Sequence, residues 1–232
     1  MSDSRNAILQ RISRTLGHDA TPAAPAVAQR INEHTRGPQP QWTESTRARF
    51  LNKLEKVAGT YAEVAARERI PHAVADYLSA QNLPQRLVLA PHPLLDNLAW
   101  PDGWQVERRR AVGDERVSLA VAFCAIAETG SLMLLAGPDS PATLNFLPDD
   151  FLCVLPENRI VPRMEDAWAL LREEHGAMPR AANIITGPSR TADVEQTIQL
   201  GAHGPRSLHV LLPGEGCNST AKADLAANST IE

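Results

Sequence analysis

The 232-residue sequence has few cysteines, few lysines and few aromatic side chains. Its three cysteines, Cys124, Cys153 and Cys217, form no CxxC pair. Three scattered thiols are too few for a four-thiolate iron–sulfur cluster or an all-cysteine zinc site. At this density a disulfide framework is not expected either. Cys124 and Cys153 lie in apolar runs and read as small buried hydrophobes. The histidines form no HxH or HExxH array, so no metal site can be argued. Lysine occurs only at Lys53, Lys56 and Lys222, and the formal net charge is −4, which gives no support to a general nucleic-acid binder. No run reaches the ~18 apolar residues of a membrane span. The N-terminus, with Asp3 and Arg5 and no apolar core, does not read as a signal peptide. These absences lead us to expect a soluble cytoplasmic protein.

What is present is a globular composition, 43% hydrophobic, arranged in alternating periods. Ile8, Ile12 and Leu16 make an apolar stripe with Arg5, Arg11 and Arg14 off it, predicting a short amphipathic helix within 1–17. Residues 18–41 are rich in Ala and Pro without periodicity and read as a semi-extended linker. A domain over 42–213 follows, then a loose tail over 214–232. Phe50, Leu54, Val57 and Tyr61 predict one helix across 43–66, and Pro71 opens another over 71–81. Short apolar strands are predicted at 86–90, 132–135, 151–155, 183–186 and 208–212, with weaker ones at 104–107 and 160–161. Helices are predicted at 164–174 and 191–200. Continuous apolar strands alternating with helices predict an α/β fold with a mostly parallel sheet covered on both faces.

Two segments stand out chemically. In Thr186-Gly187-Pro188-Ser189-Arg190-Thr191 a strand feeds a glycine turn and then a predicted helix. Free amides at a helix start, with Arg190 beside them, suit an anion. Ser189 or Thr191 acting only as a helix cap explains the same residues. In Glu128-Thr129-Gly130-Ser131 a carboxylate interrupts an apolar stretch, where it is costly to bury unless bonded or used. Glu128 is thus either a general base, nucleophile or hydroxyl acceptor, or a turn carboxylate bonding its neighbours. If the two segments form a site, Glu128, Thr129, Gly130, Ser189, Arg190 and Thr191 border one pocket. His92, directly after a strand, His203 and the run Arg108-Arg109-Arg110 are weaker candidates.

Ala125-Ile126-Ala127-Glu128-Thr129-Gly130-Ser131-Leu132, then Thr186 to Glu195, then Leu200-Gly201-Ala202-His203-Gly204-Pro205, resemble the LUD-domain family, of the lactate-utilisation protein C type. The resemblance spans about 45–213, with Ser131 where the family commonly has Thr. It implies a fold similar to the sugar-isomerase and coenzyme A-transferase superfamily, an open Rossmann-like three-layer α/β/α sheet. It also implies a place in L-lactate oxidation to pyruvate alongside iron–sulfur partner proteins, with no cofactor in this chain. Ligand contacts with a small anion are expected at Thr129, Gly130, Ser131, Thr186, Gly187, Ser189, Arg190 and Thr191. The alternative is a freestanding enzyme acting on a phosphorylated or coenzyme A-linked substrate through Glu128. The absence of any redox-cofactor motif favours the accessory reading.

Overall fold

The computed structural model describes residues 2–16, 23–191, 199–200 and 204–214. Two compact units divide the chain, one over Met1–Thr43 and one over Glu44–Glu232. The first carries helices α1 (Ser2–Leu16) and α2 (Ala23–Glu33). Ile8, Leu9 and Ile12 of α1 and Val27 and Ile31 of α2 are exposed. Helix α2 corrects the expectation of an extended linker. Its alanines are strong helix formers, Pro25 falls in the first turn where no amide partner is lost, and Val27 and Ile31 share a face.

In the second unit, Ser45 caps α3 (Thr46–Lys56) by accepting from the Ala48 amide at 3.2 Å. The helix predicted through residue 66 ends here. Ala58 takes a positive φ of 63°, and Thr60–Val64 is strand β1, so Tyr61 belongs to a sheet. The chain continues through α4 (Ile70–Ala80), β2 (Arg86–Leu89), β3 (Gln105–Arg108), β4 (Val117–Val121), β5 (Cys124–Ile126) and β6 (Ser131–Leu135). After these come β7 (Asp150–Val154), β8 (Ile160–Val161), α5 (Met164–His175) and β9 (Ala182–Ile185). The last described elements are β10 (Arg190–Thr191), β11 (Gln199–Leu200) and β12 (Ser207–Pro213).

The central sheet has six strands in the order β1-β12-β7-β4-β2-β3, every neighbouring pair parallel. Strands β4 and β7 in its middle are buried at every position, as an α/β sheet covered on both faces requires. A second, four-stranded sheet runs β8-β5-β6-β9 and pairs β5 with β6 and β6 with β9 antiparallel. The turn Ala127–Gly130 is far too short for a parallel crossover, which needs about a dozen residues, so the apolar runs it joins must form a hairpin. One face of that hairpin (Ala125, Leu132, Leu134) joins the main core. The other (Cys124, Ile126, Met133) packs on Ala167 of α5.

A third expectation fails at its described ends. The helix expected over 191–200 is replaced at Arg190–Thr191 and Gln199–Leu200 by an antiparallel pair, Arg190 opposite Leu200 and Thr191 opposite Gln199. At Arg190 and Thr191 the backbone is therefore strand, not the first turn of a helix. Residues 192–198 lie outside the described part.

Candidate functional site

The segments singled out in the sequence converge on the C-terminal end of α3. A Cβ on Gly130 would lie 2.6 Å from the Leu54 amide nitrogen, and one on Gly187 would lie 2.4 Å from the Val57 carbonyl oxygen. Both glycines have positive φ, +72° and +78°. Each is needed because its turn rests directly on α3, in a conformation other residues adopt only with strain. Arg190 donates from Nη2 to the Val57 carbonyl at 3.2 Å, a cation on the carbonyl end of that helix. The Ser189 amide donates to Pro205 O at 2.8 Å, which draws in the third segment.

The first two segments also meet through a chain of hydroxyls. Thr129 Oγ1 lies 2.7 Å from Ser131 Oγ, and Ser131 Oγ lies 2.7 Å from Thr186 Oγ1. Ser131 is fully buried, while Thr129 and Thr186 open to solvent. Glu128, half-buried, accepts from the amide of Met164 at 3.4 Å, and its own amide donates to Pro162 O at 2.9 Å. It therefore sits at the N-terminus of α5, where a carboxylate complements the helix dipole. Of Thr191, only its backbone pairing is described.

The crevice expected at the strand C-termini lies elsewhere. From β2 the chain moves outward to β3, then returns to β4 on the other side of β2 and proceeds toward β7. The C-terminal ends of β2 and β4 thus flank the switch point of the sheet, where ligands of open α/β folds sit. A cleft of about 110 Å³ opens there, with His92 after β2 and Val121, Ala122 and Phe123 at the end of β4. Leu135, Asp139 and Ser140 follow from β6, Arg159 precedes β8, and Glu174 and His175 come from the last turn of α5. None of the segments around Gly130 and Gly187 lines it.

Fixed bonds preorganise this cleft. His92 Nδ1 accepts from the Leu94 amide at 3.1 Å, which leaves the neutral ring's proton on Nε2. Burial pushes the His92 imidazole below its usual range, against the opposing pull of Asp139 and Asp96. Arg159 donates from Nε to Phe123 O at 2.8 Å, and its guanidinium lies 4.7 Å from the centre of the Phe123 ring. Its two remaining nitrogens form a fork on Glu174, at 2.5 and 2.8 Å. His175 meets the same Phe123 ring edge-on, with centroids 5.5 Å apart.

His92 was visible in the sequence by its place after a strand. Asp139 and Ser140 carried only a turn signal, in Gly137-Pro138-Asp139-Ser140-Pro141, and Arg159 and Glu174 carried none. His203 and Cys217 lie outside the described residues. The run Arg108-Arg109-Arg110 is not a free basic patch: Arg108 pairs with Asp96, and Arg109 with Glu107 and Glu115. A further cavity of about 170 Å³ at the N-terminal ends of β2 and β4 is lined by Arg86, Glu107, Glu115 and Arg116. There Arg86 pairs with Glu107 at 3.5 Å, and Arg116 with Asp150 at 2.8 Å.

The LUD domain family model matches residues 47–212. Over 93 residues the chain is 40% identical to a lactate utilization protein C of Anoxybacillus flavithermus, covering 39% of this chain and 41% of that one. Over 96 residues it is 38% identical to the protein of the same name from Geobacillus thermodenitrificans, covering 39% and 40%. The matched stretch thus spans about two fifths of the length of these relatives. A solved structure of a DUF162 family protein from Deinococcus radiodurans superposes with a TM-score of 0.57 at 22% identity, over 75% of this chain and 100% of that one. That likeness concerns the fold.

Proposed function

Because the chain belongs to the LUD-domain family, we propose that it is a cytoplasmic accessory subunit of an L-lactate utilisation system, acting beside iron–sulfur proteins that carry the electrons. The observation that carries this reading is the similarity to proteins named lactate utilization protein C, at up to 40% identity. The two cysteines among the described residues support it. Cys124 and Cys153 are both fully buried, and burial pushes the Cys124 thiol up to about 12 and that of Cys153 higher still. Neither is a ready metal ligand, since a thiol binds metal as thiolate. No helix among the described residues is long and apolar enough to cross a membrane. Kinship with the sugar-isomerase and coenzyme A-transferase superfamily belongs to the same proposal, supported by the parallel sheet and its switch point.

The freestanding-enzyme alternative rests on Glu128, and the bond from Met164 gives that carboxylate a structural task. The small-ligand part of the proposal is better served by the switch-point cleft than by the turns packed on α3. The test is co-purification of the full chain with cysteine-rich iron–sulfur partners, followed by an assay of L-lactate oxidation with and without it. Activity is expected to depend on the chain. Partners that oxidise L-lactate equally well alone would refute the proposal.

A further inference from the structure

The switch-point cleft has a composition that selects among ligands. Its interior of about 110 Å³ is well below the roughly 300–1,000 Å³ of sites for drug-sized molecules. It takes a molecule of a few heavy atoms, and a nucleotide or coenzyme A does not fit inside. Val121 and Leu135 offer apolar wall to a short carbon chain. His92 presents an N–H donor from Nε2, as its Nδ1 is held by the Leu94 amide. Asp139, as a carboxylate, only accepts hydrogen bonds.

Arg159 supplies the cation. Its side chain is 12% exposed, and Phe123 holds it from two directions, through the carbonyl and the ring face. The forked end, the geometry that matches a carboxylate, is taken by Glu174. Glu174 is 38% exposed and stands in the last turn of α5, where the helix dipole disfavours a negative charge. Only the Glu174 end of this pair reaches solvent, so a competitor must reproduce both bonds of the fork to replace it. A carboxylate arriving from solvent can replace Glu174 with both bonds to Arg159 preserved.

We propose that this cleft binds a small 2-hydroxy carboxylate, with Glu174 occupying the ligand carboxylate's place on Arg159 until the ligand displaces it. The ligand hydroxyl donates to Asp139, and His92 Nε2–H donates to a ligand oxygen. A 2-oxo acid turns lone pairs toward Asp139 instead of a donor, and an unsubstituted acid leaves Asp139 without its bond. The class follows from the cleft chemistry. The choice of lactate as probe rests on the functional reading above.

The experiment is calorimetric titration of the full chain with L-lactate, pyruvate and propionate, each variant first checked for a cooperative thermal transition. L-lactate is expected to bind at least about tenfold tighter than propionate or pyruvate, the scale of one hydrogen bond to a charged group. Glu174→Gln and Glu174→Ala are expected to tighten L-lactate binding by about fivefold or more, because a two-bond competitor for Arg159 is removed. Asp139→Asn, with a donor in place of an acceptor, is expected to bring pyruvate to within about threefold of L-lactate, against the larger gap in the wild type. Tighter binding in the Glu174 variants is the distinctive result, because a purely structural Glu174 gives unchanged or weaker binding. No binding of L-lactate, equal binding of propionate, or unchanged or weaker affinity in both Glu174 variants overturns the proposal. If L-lactate binds as described but partner proteins oxidise it without this chain, the functional reading falls while the cleft assignment stands. If the chain is required but binds none of the three acids, the reverse holds.

Discussion

His209 is the residue on which acid acts most directly. It lies in β12, 7% exposed, stacked on Tyr77 at 4.5 Å and 2.8 Å from Thr60 Oγ1 through Nδ1. Burial lowers its pKa from 6.5 to about 4. The unfolded chain therefore takes up a proton near 6.5 while the folded one stays neutral until about 4. Stability is complete above 6.5 and is lost as the pH falls through this window, by up to about 3 kcal/mol at ~1.4 kcal/mol per unit. Urea denaturation across that range measures the loss, and His209→Gln is expected to flatten it. Glu115 behaves differently. Although burial raises its pKa, Arg109 and the amides of Gly113 and Val112 outweigh that and hold it at about 2. Glu115→Ala is expected to cost roughly 2 kcal/mol at neutral pH by removing charge-assisted hydrogen bonds, read from the same denaturation curves. His209 interrupts an apolar run visibly in the sequence, but its stacking partner Tyr77 is 132 positions away and nothing local announces it.

At the scale of elements, α3 organises the two glycine turns of this chain by contact. Gly130→Ala places a methyl against the backbone of Lys53 and Leu54 and also forces alanine into positive φ. A loss of roughly 2–4 kcal/mol in unfolding free energy is expected. Ser131→Ala breaks the hydroxyl chain to Thr129 and Thr186, at a cost of about 1 kcal/mol. Glu128→Gln keeps an acceptor over the Met164 amide and loses only the charge at the start of α5, under about 1 kcal/mol. A much larger change in L-lactate oxidation than in stability for Glu128→Gln would restore a chemical role for this carboxylate. The glycine motifs were legible as turns. Their reason was not, because a close approach by a helix and a close approach by a ligand demand the same residue.

For the whole molecule, the two buried cysteines report global opening. Cys124 and Cys153 have no exposed surface and their thiols resist ionisation, so native chain should not alkylate at either within the lifetime of the folded state. Labelling of both at one common rate that rises with urea is expected, read by mass spectrometry of the peptides. Rapid labelling of Cys124 alone would show that the hairpin β5–β6 opens separately from the parallel sheet.

The α/β class, the family and most strand and helix positions follow from the sequence alone, because apolar period and turn residues act within a few positions of themselves. Gly130 and Gly187 are equally local in their demand for a turn. The tertiary structure decided the pairing partners. Leu132–Leu135 is apolar enough for a parallel strand, yet its short turn places it in a second sheet. The tertiary structure also decided the site. His92, Asp139 and Arg159 come from three separate loops and Glu174 from the last turn of α5, and they meet only because these segments gather at one end of β2 and β4. A cleft is a property of how strands are ordered, and strand order depends on contacts between segments far apart in the chain.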